Sequence, residues 1–172
     1  FDGSLFMWDS VFILCFAHYG RRVFDAQRTL DNFYARQEPD GFICKEFRGH
    51  DGSPRFERFD PCSTGPNLLA WSEWEHYRHM GDRDRLARVF PVLLAYHQWL
   101  RSYRTWPDGA YWANGIGSGM DNQPRTVADP AHPWNQWRRP PYRRETPPGW
   151  AEDLSWLHHA HLAWVDATVQ AL

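Results

Sequence analysis

Between residues 115 and 125 the chain reads GIGSGMDNQPR. One carboxyl, Asp121, follows glycines at 115, 117 and 119, with Asn122 beside it and Arg125 four positions on. Glycine at this density disfavours a helix interior and lets the backbone pass close to a ligand. A carboxyl on such a segment has two readings. It can exchange a proton with a substrate brought against the loop, or it can close an Asx-turn at the surface. The stretch alone leaves both open.

Aromatic rings are the second chemical resource. Phe, Trp and Tyr make up 17% of the chain, including 11 Trp, and Trp106, Trp112, Trp134, Trp137 and Trp150 fall in Gly/Pro-rich stretches outside the helical patterning. Flat faces in loops suit stacking on sugar rings or nucleobases. A formal net charge of -2 offers no basic field for a polyanion. Nucleic acid and acidic membrane surfaces are set aside on that ground, and a small carbohydrate is left as the expected partner. His158, His159 and His161 lack partner residues at a ligating spacing, so no metal and no cofactor is expected. Cys15, Cys44 and Cys62 are odd in number and form no CxxC. Reduced thiols in a cytoplasmic protein are the expectation, with a Cys44–Cys62 bridge as the alternative. The longest apolar run, VFILCFA at 11–17, falls well short of the roughly 18 to 20 residues of a membrane span.

The elements that must position these groups are helical. Asp9 to Tyr19 is apolar almost all round, the pattern of a buried helix. A turn at Gly20–Arg22 leads into a predicted helix from Val23 to Gln37, with Phe24, Leu30, Phe33 and Tyr34 on one face. The design repeats: Pro66 stands at a first-turn position after Ser63 and Thr64. A helix then runs to Met80, Gly81–Asp82 turns, and Arg83 to Tyr103 returns. Another helix begins near Asp153. Turns within hairpins are short, whereas the loops between them, 38–65 and 104–152, are long, and each opens with Pro-Asp-Gly followed by a strand-like run, FICKEF or AYW. Stacked hairpins put all short turns at one end and all long loops at the other, and long loops are where function concentrates. Trp8, Glu46 and Asp121 should therefore meet at one end, with Gly20 and Gly81 at the opposite end.

The ordered series LFMWDSVF, NFYARQEPDGFICKEF, GPNLLAWSEWEHYRHMGDRDRL, VFPVLLAYHQWL, PDGAYW and GSGMDNQPR resembles the catalytic domain of the trehalase-like six-hairpin glycosidases. It is most similar to glycoside hydrolase family 63 and its mannosylglycerate and glucosylglycerate hydrolase relatives. The resemblance implies an all-α (α/α)6 toroid, of which residues 1–172 would form a single, incomplete catalytic domain with about five helices. It implies an inverting exo-α-glycosidase acting on a small glucoside, mannoside or glycosylglycerate. Asp121 would be the general acid, and the base would be a Glu outside this chain. Trp8 and Asp9 look like the family's pair beneath the reacting sugar. Lys45 and Glu46 stand where an Arg-Glu pair is common, and lysine keeps the charge but loses the bidentate fork. Asn122 and Arg125 would orient the acid or the sugar, and Trp112 would offer a ring to the substrate. The alternative is a non-catalytic carbohydrate-binding fragment, because acid and base do not occur together here.

The segment HPWNQWRRPPYRRE at 132–145 concentrates arginine around two prolines and a tyrosine. Read as a lid, it would offer cations to an anionic aglycone such as glycerate. Charge-assisted bonds of roughly 1.5–3 kcal/mol then predict that Ala at Arg138, Arg139, Arg143 or Arg144 raises KM for a glycosylglycerate by about 10- to 100-fold. A neutral disaccharide should be nearly unaffected. The kcat/KM ratio of the two substrates is the measurement, and a ratio unmoved in all four variants would make the segment a solvated insertion.

Overall fold

Helix α1 (Met7–Ala17) emerges directly from a two-residue strand, β1 (Leu5–Phe6), and ends in a 3-10 turn at His18–Gly20. These belong to residues 3–60, 62–105 and 111, which the computed structural model describes. The helix starts two residues earlier than the sequence pattern indicates. The N–H of Met7, its first residue, donates to the Lys45 carbonyl at 2.8 Å. A neighbouring backbone, rather than a side-chain cap, thus takes one of the donors that every helix start leaves over. Asp9 is consequently not the N-cap. It sits in the first turn, exposed, where the helix dipole favours a negative charge.

Helix α1 also departs from the all-round burial its composition implies. Met7, Val11 and Leu14, spaced four and three apart, pack into the core, whereas Phe12, Ile13 and Phe16 are 42, 51 and 62% exposed. The outward face borders an apolar groove of about 630 Å³ lined by Leu5, Phe6, Ile13, Phe16 and Phe24 among others.

The return leg of the first hairpin is not the continuous helix expected from Val23 to Gln37. Ala26–Leu30 is 3-10, and only α2 (Asp31–Tyr34) is α-helical. The buried positions explain the tightening. Gln27, Leu30 and Phe33 recur every third residue, the repeat at which a 3-10 turn stacks its side chains. Phe24, which the helix reading placed on the apolar face, is exposed, as is Val23 at its expected start.

Beyond α2 the Pro39-Asp40-Gly41 turn forms as its composition requires. Gly41 has φ +97°, and a Cβ there would fall 2.4 Å from the Ala95 carbonyl oxygen, so both conformation and space demand glycine. Asp40 accepts from Trp99 Nε1 at 3.1 Å and from Arg58 at 2.9 Å; Arg58 also pairs with Glu38. Of the strand-like run that follows, only β2 (Glu46–Phe47) enters a sheet. It pairs antiparallel with β1, Leu5 opposite Phe47 and Phe6 opposite Glu46. Phe42, Ile43 and Cys44 are buried in irregular chain.

The second hairpin follows its sequence signals closely. Helix α3 (Leu69–Met80) ends on Gly81, whose φ of +68° lets its N–H reach the Tyr77 carbonyl. Asp82 caps α4 (Arg83–Tyr103) by accepting from the Arg85 N–H at 2.9 Å. Pro66 precedes α3 by three residues instead of opening it, because residues 62–68 run as buried, non-helical chain. Of the strand-like run at 110–112 only Tyr111 is among the described residues, and it forms an antiparallel bridge with Thr105. The helix expected from Asp153 lies outside the described residues.

Two sets of contacts fix the direction of the helices. At one end the His18 and His79 rings stack with centroids 4.4 Å apart. At the other, Met7 bonds to Lys45 and the Lys45 N–H bonds to the Ser63 carbonyl at 2.9 Å. Helices α1 and α3 are therefore parallel neighbours with their N-termini at the ribbon end, and the intervening segments and α4 run back. Gly20 and Gly81 lie at the short-turn end; Trp8 and Glu46 lie at the long-loop end, as the hairpin pattern requires.

Inside this array Arg85 is buried against Glu73. Its Nε and Nη2 donate to the two carboxylate oxygens at 2.8 Å each, and Nη2 also reaches Asp31 at 2.9 Å and the Gln27 carbonyl at 3.2 Å. The Tyr34 hydroxyl donates to Glu73 Oε1 at 2.8 Å. Burial, and then the Glu73 charge, pushes the Tyr34 phenol well above its ordinary value.

Removing one partner strands a buried charge, so Glu73→Ala should destabilise the full-length protein by about 3–5 kcal/mol in urea unfolding. Glu73→Leu combined with Arg85→Met should cost much less. Equal costs would mean that the pair is not electrostatically coupled. Tyr34 adds a pH dependence. Its folded pKa is raised, so its contribution is complete below the unfolded value of about 10 and fades as pH climbs above it. Tyr34→Phe should flatten part of that alkaline loss, which pH-dependent unfolding would reveal.

Candidate active site

Four of the residues singled out in the sequence lie on adjoining backbone at the long-loop end. Trp8 and Asp9 occupy the first turn of α1; Lys45 and Glu46 stand at the entry to β2. The Met7–Lys45 hydrogen bond and the Phe6–Glu46 register bring the two pairs together. The sequence separation of nearly forty residues is closed by backbone pairing alone.

Each side chain has its own setting. Trp8 is half-buried and meets Phe12 edge-on at 4.9 Å, and Phe12 meets Trp71 at 5.9 Å, so an aromatic row crosses from α1 to α3. Asp9 is exposed and faces the apolar groove beside Ser4, Leu5 and Phe6. The Lys45 ammonium lies over the Phe56 ring, 5.1 Å from its centroid. Glu46, mostly buried, has Arg55 Nε at 3.9 Å from its carboxylate. Lys45 and Glu46 thus take different neighbours on the facing segment, as successive residues of an extended chain do.

Asp121, Asn122, Arg125 and Trp112 lie outside the described residues. Trp74, in the middle of α3, is 37% exposed and packs against Tyr77 at 5.6 Å. Its helix neighbour Glu73 is the buried one. The helical pattern places the two side by side without saying which faces inward.

Behind the ribbon the chain is tightly bonded. Cys44 Sγ donates to the Glu46 carbonyl at 3.3 Å and to the Phe56 carbonyl at 3.7 Å. Burial pushes its thiol up despite those bonds, which makes it a poor nucleophile. Cys44 and Cys62 are both buried thiols not joined by a disulfide, so the bridge held open on sequence grounds is not formed. Arg104, Ser63 and Thr64 are also buried here. The sequence reading passed over Arg104. Its one available signal was a cation at the junction of a long helix and a long loop.

The pairing of parallel helices, short turns at one end and substrate-sized loops at the other, is the architecture of the helical-toroid glycoside hydrolases. The described residues form a part of such a ring. The chain belongs to the mannosylglycerate hydrolase MGH1-like glycoside hydrolase domain family, whose model matches residues 4–172. Among solved structures it is similar to the GH63 mannosylglycerate hydrolase of Thermus thermophilus in complex with Tris and D-glycerate. That match has a TM-score of 0.54 and 27% identity, covering 70% of this chain and 32% of that one. A glucose complex of the same hydrolase matches at TM-score 0.51 and 29% identity, covering 72% and 36%. A curated relative, an uncharacterised protein of Borreliella burgdorferi, is 25% identical over 113 residues, 66% of this chain and 24% of its own length. The chain thus spans about a third of the Thermus hydrolase and a quarter of the Borreliella protein.

The thiol environment gives a direct check on the interior of this site. In the native full-length protein Cys44 and Cys62 should resist alkylation, and both should label in denaturant without a reductant. Peptide mapping of the alkylated protein reads the outcome. A requirement for reductant would show a bridge and contradict the arrangement behind β2.

Proposed function

We propose that this chain is part of the catalytic domain of an inverting exo-α-glycosidase acting on a small glucoside, mannoside or glycosylglycerate. The observation that carries the reading is the family match across residues 4–172, together with the meeting of Trp8–Asp9 and Lys45–Glu46 at the long-loop end. Glucose and D-glycerate are bound by the similar Thermus hydrolase, and the same substrate class is proposed here.

In this reading Trp8 offers its ring to the apolar face of the reacting sugar, and Asp9 accepts hydrogen bonds from sugar hydroxyls. Asp121, carried by its glycine-rich loop, protonates the glycosidic oxygen as the bond breaks. A glutamate contributed from outside these 172 residues activates a water on the opposite face. The two carboxyls of an inverting pair stand roughly 6.5–9.5 Å apart to leave room for that water. The acid must hold its proton near neutrality, which apolar surroundings achieve, and Met120 is adjacent in sequence.

Asp121→Asn keeps the shape but removes the transferable proton, so kcat should fall by about 10²–10⁴-fold on a natural glycoside. The loss should shrink on a fluoride or nitrophenyl glycoside, whose leaving group needs little protonation. Equal losses on both would reduce Asp121 to a sugar-positioning residue. The first product seen by NMR from an α-glycoside should be the β-anomer, and appearance of the α-anomer would overturn inversion. Trp8→Ala should lower kcat/KM by about 10- to 100-fold through lost apolar contact, with Trp8→Phe in between.

A further inference from the structure

We infer that Arg104 is a positioning residue that holds the Lys45–Glu46 segment and the first turn of α1 in mutual register, an inference that rests on the glycosidase reading above. Arg104 is the residue at which α4 ends, and it is 3% exposed although it stands at a helix terminus. Its guanidinium lies over the Trp99 ring, 4.9 Å from the centroid. Nε donates to Thr64 Oγ1 at 3.2 Å, and Nη2 donates to Ser63 Oγ at 3.0 Å and to the Asp60 carbonyl at 2.9 Å. A planar fork with several fixed donors is what can bind several points of an irregular segment at once.

Ser63 passes that constraint on. Its hydroxyl accepts from Arg104 and donates to the Arg58 carbonyl at 2.9 Å, so the residue is held from both sides. Its carbonyl accepts the Lys45 N–H at 2.9 Å, and the Lys45 carbonyl accepts the Met7 N–H at 2.8 Å. Trp8 and Asp9 follow Met7 directly. Three links therefore run from a buried guanidinium to both pairs of candidate substrate residues. Next to Arg104, Thr105 bridges to Tyr111, after which the sequence leads on to Trp112 and Asp121. One side chain is thus tied to two candidate-bearing segments, Lys45–Glu46 and the first turn of α1. It touches no substrate in this scheme and acts through Ser63.

The test compares Arg104→Met and Arg104→Lys with the wild type in the full-length protein. Glu73→Gln serves as a control that perturbs a buried charge away from the ribbon. Misplacement of reacting groups by about 1 Å can cost about 100-fold, so Arg104→Met should lower kcat by about 10- to 100-fold per folded molecule. Arg104→Lys, which keeps the charge but not the fork, should recover only part. Glu73→Gln should lose stability with kcat per folded molecule near wild type. Amide hydrogen exchange supplies a readout independent of activity: the Met7 and Lys45 amides should exchange faster in Arg104→Met and not in Glu73→Gln. Unchanged exchange at those two amides would overturn the proposal. So would a kcat loss matching only the unfolded fraction, or full rescue by lysine. A wild-type protein that hydrolyses no glycoside would instead sink the glycosidase reading and the kinetic role with it, while exchange at Met7 and Lys45 would still decide whether the links exist.

Discussion

The buried pair of Glu73 and Arg85 is the constraint on which the rest of the described structure depends. Neither charge is solvated, so each must find its compensation inside, and the compensation comes from four segments at once. Helix α3 supplies the carboxylate, α4 the guanidinium, the 3-10 segment a carbonyl, and α2 an aspartate and a phenol. An ion pair of this kind contributes little net stability compared with apolar packing, yet breaking it is costly. Its effect is to penalise slippage. A shift of one helix by a turn would leave an unpaired charge in the core, which apolar side chains alone would tolerate far better.

That axial lock matters because of where the helices begin. Helices α1 and α3 run parallel, and the first turn of α1, the entry to β2 and the segment before α3 carry or support every candidate side chain within the described residues. The lock keeps the helices in register as a stack, whereas the height of Trp8 and Asp9 relative to Lys45 and Glu46 is set at the ribbon itself, by the Met7–Lys45 hydrogen bond and the pairing of β1 with β2. At the opposite end the chain needs only short turns, closed by Gly81 and Asp82 and by the stacked His18 and His79. At the functional end the turns are replaced by long segments, and these are held by backbone hydrogen bonds and by buried arginine instead of helix packing. Arg104 with Ser63 and Thr64 does for the loops what Glu73 and Arg85 do for the helices, and the partly exposed Arg58 adds ion pairs to Asp40 and Glu38.

What was legible in the sequence follows the same division. The turn at Gly81–Asp82 and the length of α4 could be read because their causes are local: a left-handed glycine and a capping carboxylate. The Pro39-Asp40-Gly41 turn could be read for the same reason. The return leg 23–37 could not, since its apolar residues fit a helix in isolation and only packing against α1 and α3 selects a period of three. Helix α1 misled through composition. A run as apolar as VFILCFA looks buried on every side, but sequence does not say which neighbours are there to bury it. Glu73 and Arg104 were illegible for a related reason: a lone charge in a helix is normally solvated, and its burial shows only once its partners, distant in sequence, are in place. The roles read for Asp121 and its neighbours rest on the resemblance and fall outside the described residues; the family match supports the domain as a whole.

The placement of carboxylates at the functional end carries a chemical logic of its own. A helix N-terminus bears partial positive charge and favours an ionised acid, so the first turn of α1 suits a residue that must stay charged and accept hydrogen bonds. Asp9 occupies that position. A general acid has the opposite requirement, because it must keep its proton until the leaving oxygen takes it, and proximity to helix N-termini would strip it. Such a residue belongs on a loop whose surroundings are apolar and whose backbone can approach the sugar closely. In the proposed reading the sequence around Asp121 has the composition for this, with glycine for approach and methionine beside the carboxyl. Under that proposal the two kinds of carboxyl need different backbones: the helix start that bears Asp9 suits an acceptor that stays ionised, and a glycine-rich segment with methionine at hand suits a donor that keeps its proton.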